Sequence, residues 1–225
     1  MAVSSCHIEL AFTRITHPFP DDIYQVYLEK LPGDLREKNG HFVRWQDRHS
    51  HLMGKILLLW TSIRMGWGDN ALQDLKYNDF GKPLLDYLSF STSHSAEFVV
   101  CACTTSNVRM GIDIEQKKPV DFDDFLNTMS PGQWEHINQS PKGALDRFYS
   151  YWVIKESVIK AEGQGLSIHL PDIAVSGNTA SIANRAVPWH VAELPIDPGY
   201  AMAIAVDRKI SAGDITISEF RPGQK

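Results

Sequence analysis

Asp113-Ile114-Glu115 sits inside an apolar, strand-like run, VRMGIDIE. Residues two apart on a strand project from one face, so both carboxylates point the same way. Two like charges about 4 Å apart repel by roughly 4 kcal/mol at an effective dielectric of 20. Such a pair needs a cation or open water, and a solvated strand end is the plain alternative. A second group lies in the helical run WVIKESVIK, where Trp152, Glu156 and Lys160 are four apart and share one stripe. On its own, Glu156–Lys160 reads equally as a surface ion pair worth a few tenths of a kcal/mol. Lys155 and Glu162, in the same run, are expected on the surface. The third group is FSTSHS at 90–95, preceded by Gly81-Lys82-Pro83. Ser93, His94 and Ser95 offer hydroxyl and imidazole groups suited to phosphate oxygens, or a turn that satisfies its own backbone. No GxSxG elbow, Walker A loop or GxGxxG run accompanies them.

These side chains need elements to hold them. Residues 3–15 read as a strand, and a helix follows from Asp22 to about Lys30, broken by Leu31-Pro32-Gly33-Asp34. Between Asp34 and Trp60 apolar residues recur at helical spacing: Phe42, Trp45, Leu52, Ile56 and Leu59. The early part of that stretch, rich in Lys, Arg and His, lines either a solvated face or a ligand. Strands are expected at 88–95, 97–103 and up to Glu115, then a helical middle and a long helix from about Lys142 to Glu162. Five more strand-like runs close the chain: DIAVSG, TASIAN, WHVAELP, YAMAIAV and ITISEF. This order predicts an α+β protein of two packed subdomains, 1–106 and 107–225, each a small, mainly antiparallel sheet with helices against it.

The 225 residues carry 22 basic and 27 acidic side chains, a formal charge of −5, and 43% are hydrophobic. These are globular values that exclude disordered, collagenous and coiled-coil chains, and the net charge argues against a general nucleic-acid binder. Three cysteines, Cys6, Cys101 and Cys103, make no disulfide framework. Cys101 and Cys103 read as small hydrophobes on one strand face. No signal peptide or membrane span is expected, so the reading is a soluble, cytoplasmic protein with no membrane partner.

Taken in order, GKP, F-x-x-SHS, GIDIE and W-x-x-KESxxK-x-EGxGL resemble the Sfp-type 4′-phosphopantetheinyl transferases, over roughly residues 34–166. The resemblance implies two pseudo-symmetric α/β subdomains with coenzyme A between them. It also implies transfer of phosphopantetheine to a serine of an acyl or peptidyl carrier protein, with release of 3′,5′-ADP. By residue, it implies that Asp113, Glu115 and Glu156 hold Mg²⁺, and that Lys160 contacts phosphate. Ser93 and His94 would meet the coenzyme phosphates, Lys82 would sit beside the nucleotide, and Arg36 and Lys38 near the 3′-phosphate, with Arg48 a further candidate. The chain departs from the family pattern at Val153, where a hydroxyl or thiol is usual, and at Ser91, which replaces Asn. It departs again at Ser50, at the place of an arginine, and at Leu35, at the place of a lysine.

The implied chemistry accounts for these residue types. Coenzyme A carries about four negative charges, which would be repelled by three carboxylates unless a divalent cation lay between them. A carrier serine would attack the β-phosphate directly, with Glu156 or a metal-bound water taking its proton, so no protein nucleophile is required. Docking on an acidic carrier would use Gln116-Lys117-Lys118-Pro119 and the apolar residues Phe122, Phe125 and Met129, which read equally as a linker and a core face. Two fused halves would build the cleft in a monomer. The competing readings are a non-catalytic relative that binds coenzyme A or a carrier, and an unrelated metal-dependent phosphohydrolase.

Overall fold

In the computed structural model, which describes residues 6–223, the chain begins with β1 (Ile8–Arg14), α1 (Asp21–Leu28), α2 (Gly33–Gly40) and α3 (Trp45–Arg64). A small hairpin, β2 (Lys76–Tyr77) and β3 (Pro83–Leu84), precedes β4 (Ser89–Ser95), β5 (Phe98–Thr104) and β6 (Met110–Gln116). A 3₁₀ segment, Phe122–Thr128, leads to α4 (Pro131–Asn138) and α5 (Ala144–Glu162). The chain ends with β7 (Ile173–Ser176), β8 (Thr179–Ile182), β9 (Trp189–Glu193), β10 (Tyr200–Val206) and β11 (Ile215–Glu219). The first three residues of the strand expected at 3–15 lie outside the described residues.

Besides the β2–β3 hairpin, the described residues form two sheets, ordered β11-β1-β5-β4 and β6-β10-β9-β8-β7. Strand β5 explains how they stack, because it is buried along its whole length. Its odd residues Val99, Cys101 and Cys103 join the α3 side chains Leu52, Met53 and Ile56 in one core. Its even residues Phe98, Val100 and Ala102 join Ile112, Ile114, Met202 and Ile204 of the second sheet in another. On the far face of that sheet, Ala203 and Ala205 meet Val153 and Val158 of α5. The layers therefore run helix, sheet, sheet, helix, an α+β arrangement whose pairs are antiparallel except one. The exception is β11, which returns to pair in parallel with β1, Ile8 opposite Ile215. The final strand thus crosses the division expected at 106/107 and completes the first sheet.

Strand alternation in β6 sends Ile112 and Ile114 between the sheets and turns Gly111, Asp113 and Glu115 toward α5. Gly111 is the point of closest approach: a Cβ there would stand 2.0 Å from the Ser157 carbonyl oxygen and 2.4 Å from the Ala161 nitrogen. Only a residue without a side chain lets α5 lie backbone against backbone on β6. The C-terminus of α5 is capped by Gly163 at φ +74°, and Lys82 reaches across from the 82–84 segment. Its ammonium donates to the carbonyls of Met110 (3.2 Å) and Ala161 (2.9 Å).

Two expectations are corrected. Lys155 is completely buried, its ammonium donating to the carbonyls of Thr128 and Leu170, each at 2.8 Å. Glu162 is nearly buried and pairs with Arg109 and Arg185. Of the residues expected either to dock a carrier or to form a core face, Met129 is buried and Phe122 and Phe125 are half-buried against Phe148, in a satellite aromatic cluster. Helical spacing tells which residues share a stripe; it does not tell which stripe a neighbouring segment covers.

Gly111→Ala should lower stability by about 3 kcal/mol, the upper end for overpacking, because the new methyl meets main-chain atoms that cannot rotate aside. A urea titration reads this directly, and an unchanged midpoint would mean that α5 is free to move off β6.

Candidate active site

Strands β4 and β6 are both sheet edges, and they lie side by side. An edge strand carries unpaired main-chain N–H groups, which cannot stay unsatisfied when buried. Here the β4 serines satisfy them. Ser91 Oγ accepts from the Ile112 N–H (3.1 Å), Ser93 Oγ from Ile114 (3.4 Å) and Ser95 Oγ from Gln116 (3.0 Å). Each of the last two hydroxyls then donates to the carboxylate one residue back: Ser93 to Asp113 Oδ1 (3.0 Å) and Ser95 to Glu115 Oε2 (2.9 Å). The register thus matches serines 91, 93 and 95 with positions 111, 113 and 115, the first being the side-chain-free Gly111.

From the other side α5 brings Glu156 and Lys160. The Lys160 ammonium donates to Asp113 Oδ1 (2.7 Å) and to Ser93 Oγ (2.8 Å). Helix α3 supplies the opposite wall. Asp47, His51 and Lys55 fall four apart on one stripe, with Ser50 and Gly54 beside them. Together with Phe42, Thr92, Ser93, His94, Asp113, Glu115, Glu156 and Lys160 they line a cavity of about 480 Å³. Thr92 and Lys160 also line a second, more apolar cleft of about 230 Å³, walled by Phe80, Pro83, Phe90 and Ile159.

The cavity has two electrical poles. Asp113, Glu115 and Glu156 all titrate above the ordinary carboxylate range. Burial is the main cause for each, and for Glu115 and Glu156 the Asp113 charge comes next. For Asp113, Lys160 and Ser93 offset only part of the cost of burial. Across the cavity, His51 is lowered to about 4 by burial and by Lys55, Lys38 and His94. Burial and then Lys38 lower Lys55, and burial and then Lys160 lower His94. Nitrogen bases line one wall, with Asp47 among them, and the three acids line the other, with Lys160 among them.

The structure brings Ser93, His94, Asp113, Glu115, Glu156 and Lys160 to this cavity. Lys38 is exposed on α2, near enough for its charge to act on His51 and Lys55. Arg36 and Arg48 do not line the cavity: Arg36 donates to the carbonyls of Glu29 and Leu31, and Arg48 to that of Phe42. Lys82 stands at the apolar cleft with its ammonium engaged by main chain. Leu35 and Val153 are core residues, and Ser50 lines the cavity wall. His51 and Lys55 were missed because the apolar positions alone defined the helix; the polar spacing 47-51-55 within the same run was the available signal.

Among the described residues, no three His, Cys, Asp or Glu side chains converge into a ready-made metal cage. The donor chemistry still suits a hard divalent cation. Three carboxylates line one cavity, Asp113 Oδ2 is buried with no hydrogen-bond partner, and Mg²⁺-type sites use one or two carboxylates completed by substrate phosphates.

Residues 109–205 match the family model described as the 4′-phosphopantetheinyl transferase superfamily. The chain is 28% identical to 4′-phosphopantetheinyl transferase Sfp of Bacillus subtilis (strain 168), over 90% of this chain and 94% of the relative. It is 31% identical to another Bacillus subtilis 4′-phosphopantetheinyl transferase, over 68% of this chain and 75% of that one. It is 29% identical to 4′-phosphopantetheinyl transferase HetI of Nostoc, over 88% and 87% respectively.

The acidic pole has a measurable consequence. A carboxyl group with a raised folded-state pKa binds its proton more tightly folded than unfolded, so it opposes folding at neutral pH. That penalty is relieved as pH falls through the raised value toward the ordinary carboxylate range. His51 acts in the opposite sense between its ordinary 6.5 and about 4, so the comparison is made against wild type at each pH. Glu156→Gln should raise the metal-free melting temperature at neutral pH, with the difference shrinking as the solution is acidified. A lower melting temperature at neutral pH would contradict the electrostatic account.

Proposed function

The chain belongs to the 4′-phosphopantetheinyl transferase superfamily, and we propose that it moves 4′-phosphopantetheine from coenzyme A to a serine of an acyl or peptidyl carrier protein, releasing 3′,5′-ADP. The observation that carries this reading is the convergence of Asp113 and Glu115 from an edge strand with Glu156 and Lys160 from α5, facing the α3 stripe of Asp47, His51 and Lys55.

The coenzyme spans both cavities. Its adenosine suits the apolar cleft beside Phe80, Pro83 and Ile159, and its diphosphate lies at the junction, where Thr92 and Lys160 line both spaces. The 3′-phosphate takes the basic pole, where Lys38 and Lys55 supply positive charge and the His51 and His94 imidazoles supply neutral N–H donors. Lys55 thereby stands in for the cations missing at Leu35 and Ser50, while Arg36 and Arg48 donate to turn carbonyls. Asp113, Glu115 and Glu156 would hold Mg²⁺, which supplies countercharge to the diphosphate and polarises the phosphorus under attack.

The carrier serine oxygen forms a bond to the β-phosphorus, and the bond from that phosphorus to the bridging oxygen breaks. Lys160 neutralises the charge that builds on the departing oxygen. Glu156, which lines the cavity beside Lys160, takes the serine proton. Positioning and charge neutralisation supply the rest of the rate. The carrier approaches where a further cavity of about 490 Å³ adjoins the first at Asp47, Ser50 and His94, with Arg44 and Lys118 offering positive charge to an acidic partner.

An apo carrier protein incubated with coenzyme A and Mg²⁺ should gain the mass of phosphopantetheine on a serine, read by intact-mass spectrometry. A carrier that binds unmodified would indicate a non-catalytic relative, and coenzyme breakdown without modification a hydrolase. Glu156→Ala should abolish transfer. Lys55→Ala should raise KM for coenzyme A by about tenfold or more, the loss of one charge-assisted contact, with a smaller effect on kcat. An unchanged KM would remove Lys55 from the phosphate site.

A further inference from the structure

We infer that Ser95 is the positioning residue for Glu115, holding that carboxylate in the acidic cluster against the repulsion of its neighbours. The inference rests on the metal-binding part of the reading above and adds to it a residue with no assigned role. A serine hydroxyl has one proton and two lone pairs. The Gln116 N–H (3.0 Å) occupies a lone pair of Ser95 Oγ, and the proton goes to Glu115 Oε2 (2.9 Å). The main chain of β6 therefore fixes the direction in which Ser95 can donate. Glu115 has a flexible side chain and is pushed by the Asp113 charge. Untethered, it would turn away from that charge. Tethered, it keeps Oε2 on Ser95, with the Trp152 indole a further donor beside the carboxylate.

The neighbouring rung makes the contrast. Asp113 Oδ1 accepts from Ser93 and also from Lys160, so two donors pin it. Lys160 makes no such hydrogen bond to Glu115, and the tether across the β4–β6 seam is Ser95's alone among the described residues. Loss of the hydroxyl should therefore affect cation binding more at position 95 than at 93. Outer partners of a metal ligand typically change affinity 10- to 100-fold when removed.

The test measures Mn²⁺ binding in the presence of coenzyme A, by the loss of the free-ion paramagnetic resonance signal. Ser95→Ala should weaken Mn²⁺ binding about tenfold, and Ser95→Thr, which keeps the hydroxyl, should restore most of it. In a Glu115→Gln background, Ser95→Ala should add little, because the two act as one unit. Coenzyme A binding without metal and the melting temperature are followed in parallel, so a purely structural loss is recognised by its appearance in all three. Should Ser95→Ala fail to fold, Ser95→Cys keeps the volume with a weaker donor and should shift binding in the same direction. Wild-type affinity in Ser95→Ala, or an equal loss with and without Glu115, would overturn the inference while leaving the transferase reading intact. A wild-type protein that binds no Mn²⁺ alongside coenzyme A would overturn the metal reading and this inference with it.

Discussion

Two sheet edges meet in this molecule without pairing through their main chains. The N–H groups of Ile112, Ile114 and Gln116 are answered by the hydroxyls of Ser91, Ser93 and Ser95. Each buried N–H left unanswered would cost about 1–3 kcal/mol, so the seam cannot be dry hydrocarbon. A hydroxyl that accepts from the main chain still has its proton to give. At two of the three rungs that proton goes to a carboxylate, and at the third the facing residue is Gly111. One device thus joins the two halves, aims Asp113 and Glu115, and leaves room for α5 to lie on β6.

The charge distribution follows from where that seam runs. The β4–β6 junction lies between the long helices, so α3 and α5 each present one stripe to the same space. The α5 stripe adds Glu156 and Lys160 to the strand acids; the α3 stripe brings His51 and Lys55. Burial makes every charge harder to keep, and it shifts the acids up and the bases down. Such a cavity is costly while nothing fills it. A polyanionic ligand carried with a divalent cation relieves both poles at once, which is why the arrangement suits a coenzyme diphosphate better than either charge alone.

Much of the site could be read in one dimension. Asp113 and Glu115 share a face because strand residues alternate, and Glu156 and Lys160 share a stripe because helical residues recur near four. The strand at 97–103 and the long helix ending at Glu162 stand where pattern put them. Arg36 and Arg48 show what a basic run leaves open: their guanidiniums donate to turn carbonyls, and the α3 wall of the cavity carries Lys55 beside a neutral His51. Lys155 shows it again. It stands next to Glu156 in sequence, yet two irregular segments close over it and supply carbonyls in place of water.

Local spacing determined which side chains travel together, because periodicity within a strand or helix is a property of the backbone alone. The chemical class came instead from the resemblance that the ordered motifs carry, which implies a polyphosphate held with a cation. Only the tertiary structure decided which stripe is covered and which faces a ligand, that serines rather than amides close the seam, and that the last strand returns to the first. Those outcomes depend on contacts between residues far apart in the chain, such as Ser95 with Glu115 and Ile8 with Ile215, and no local pattern encodes the partner.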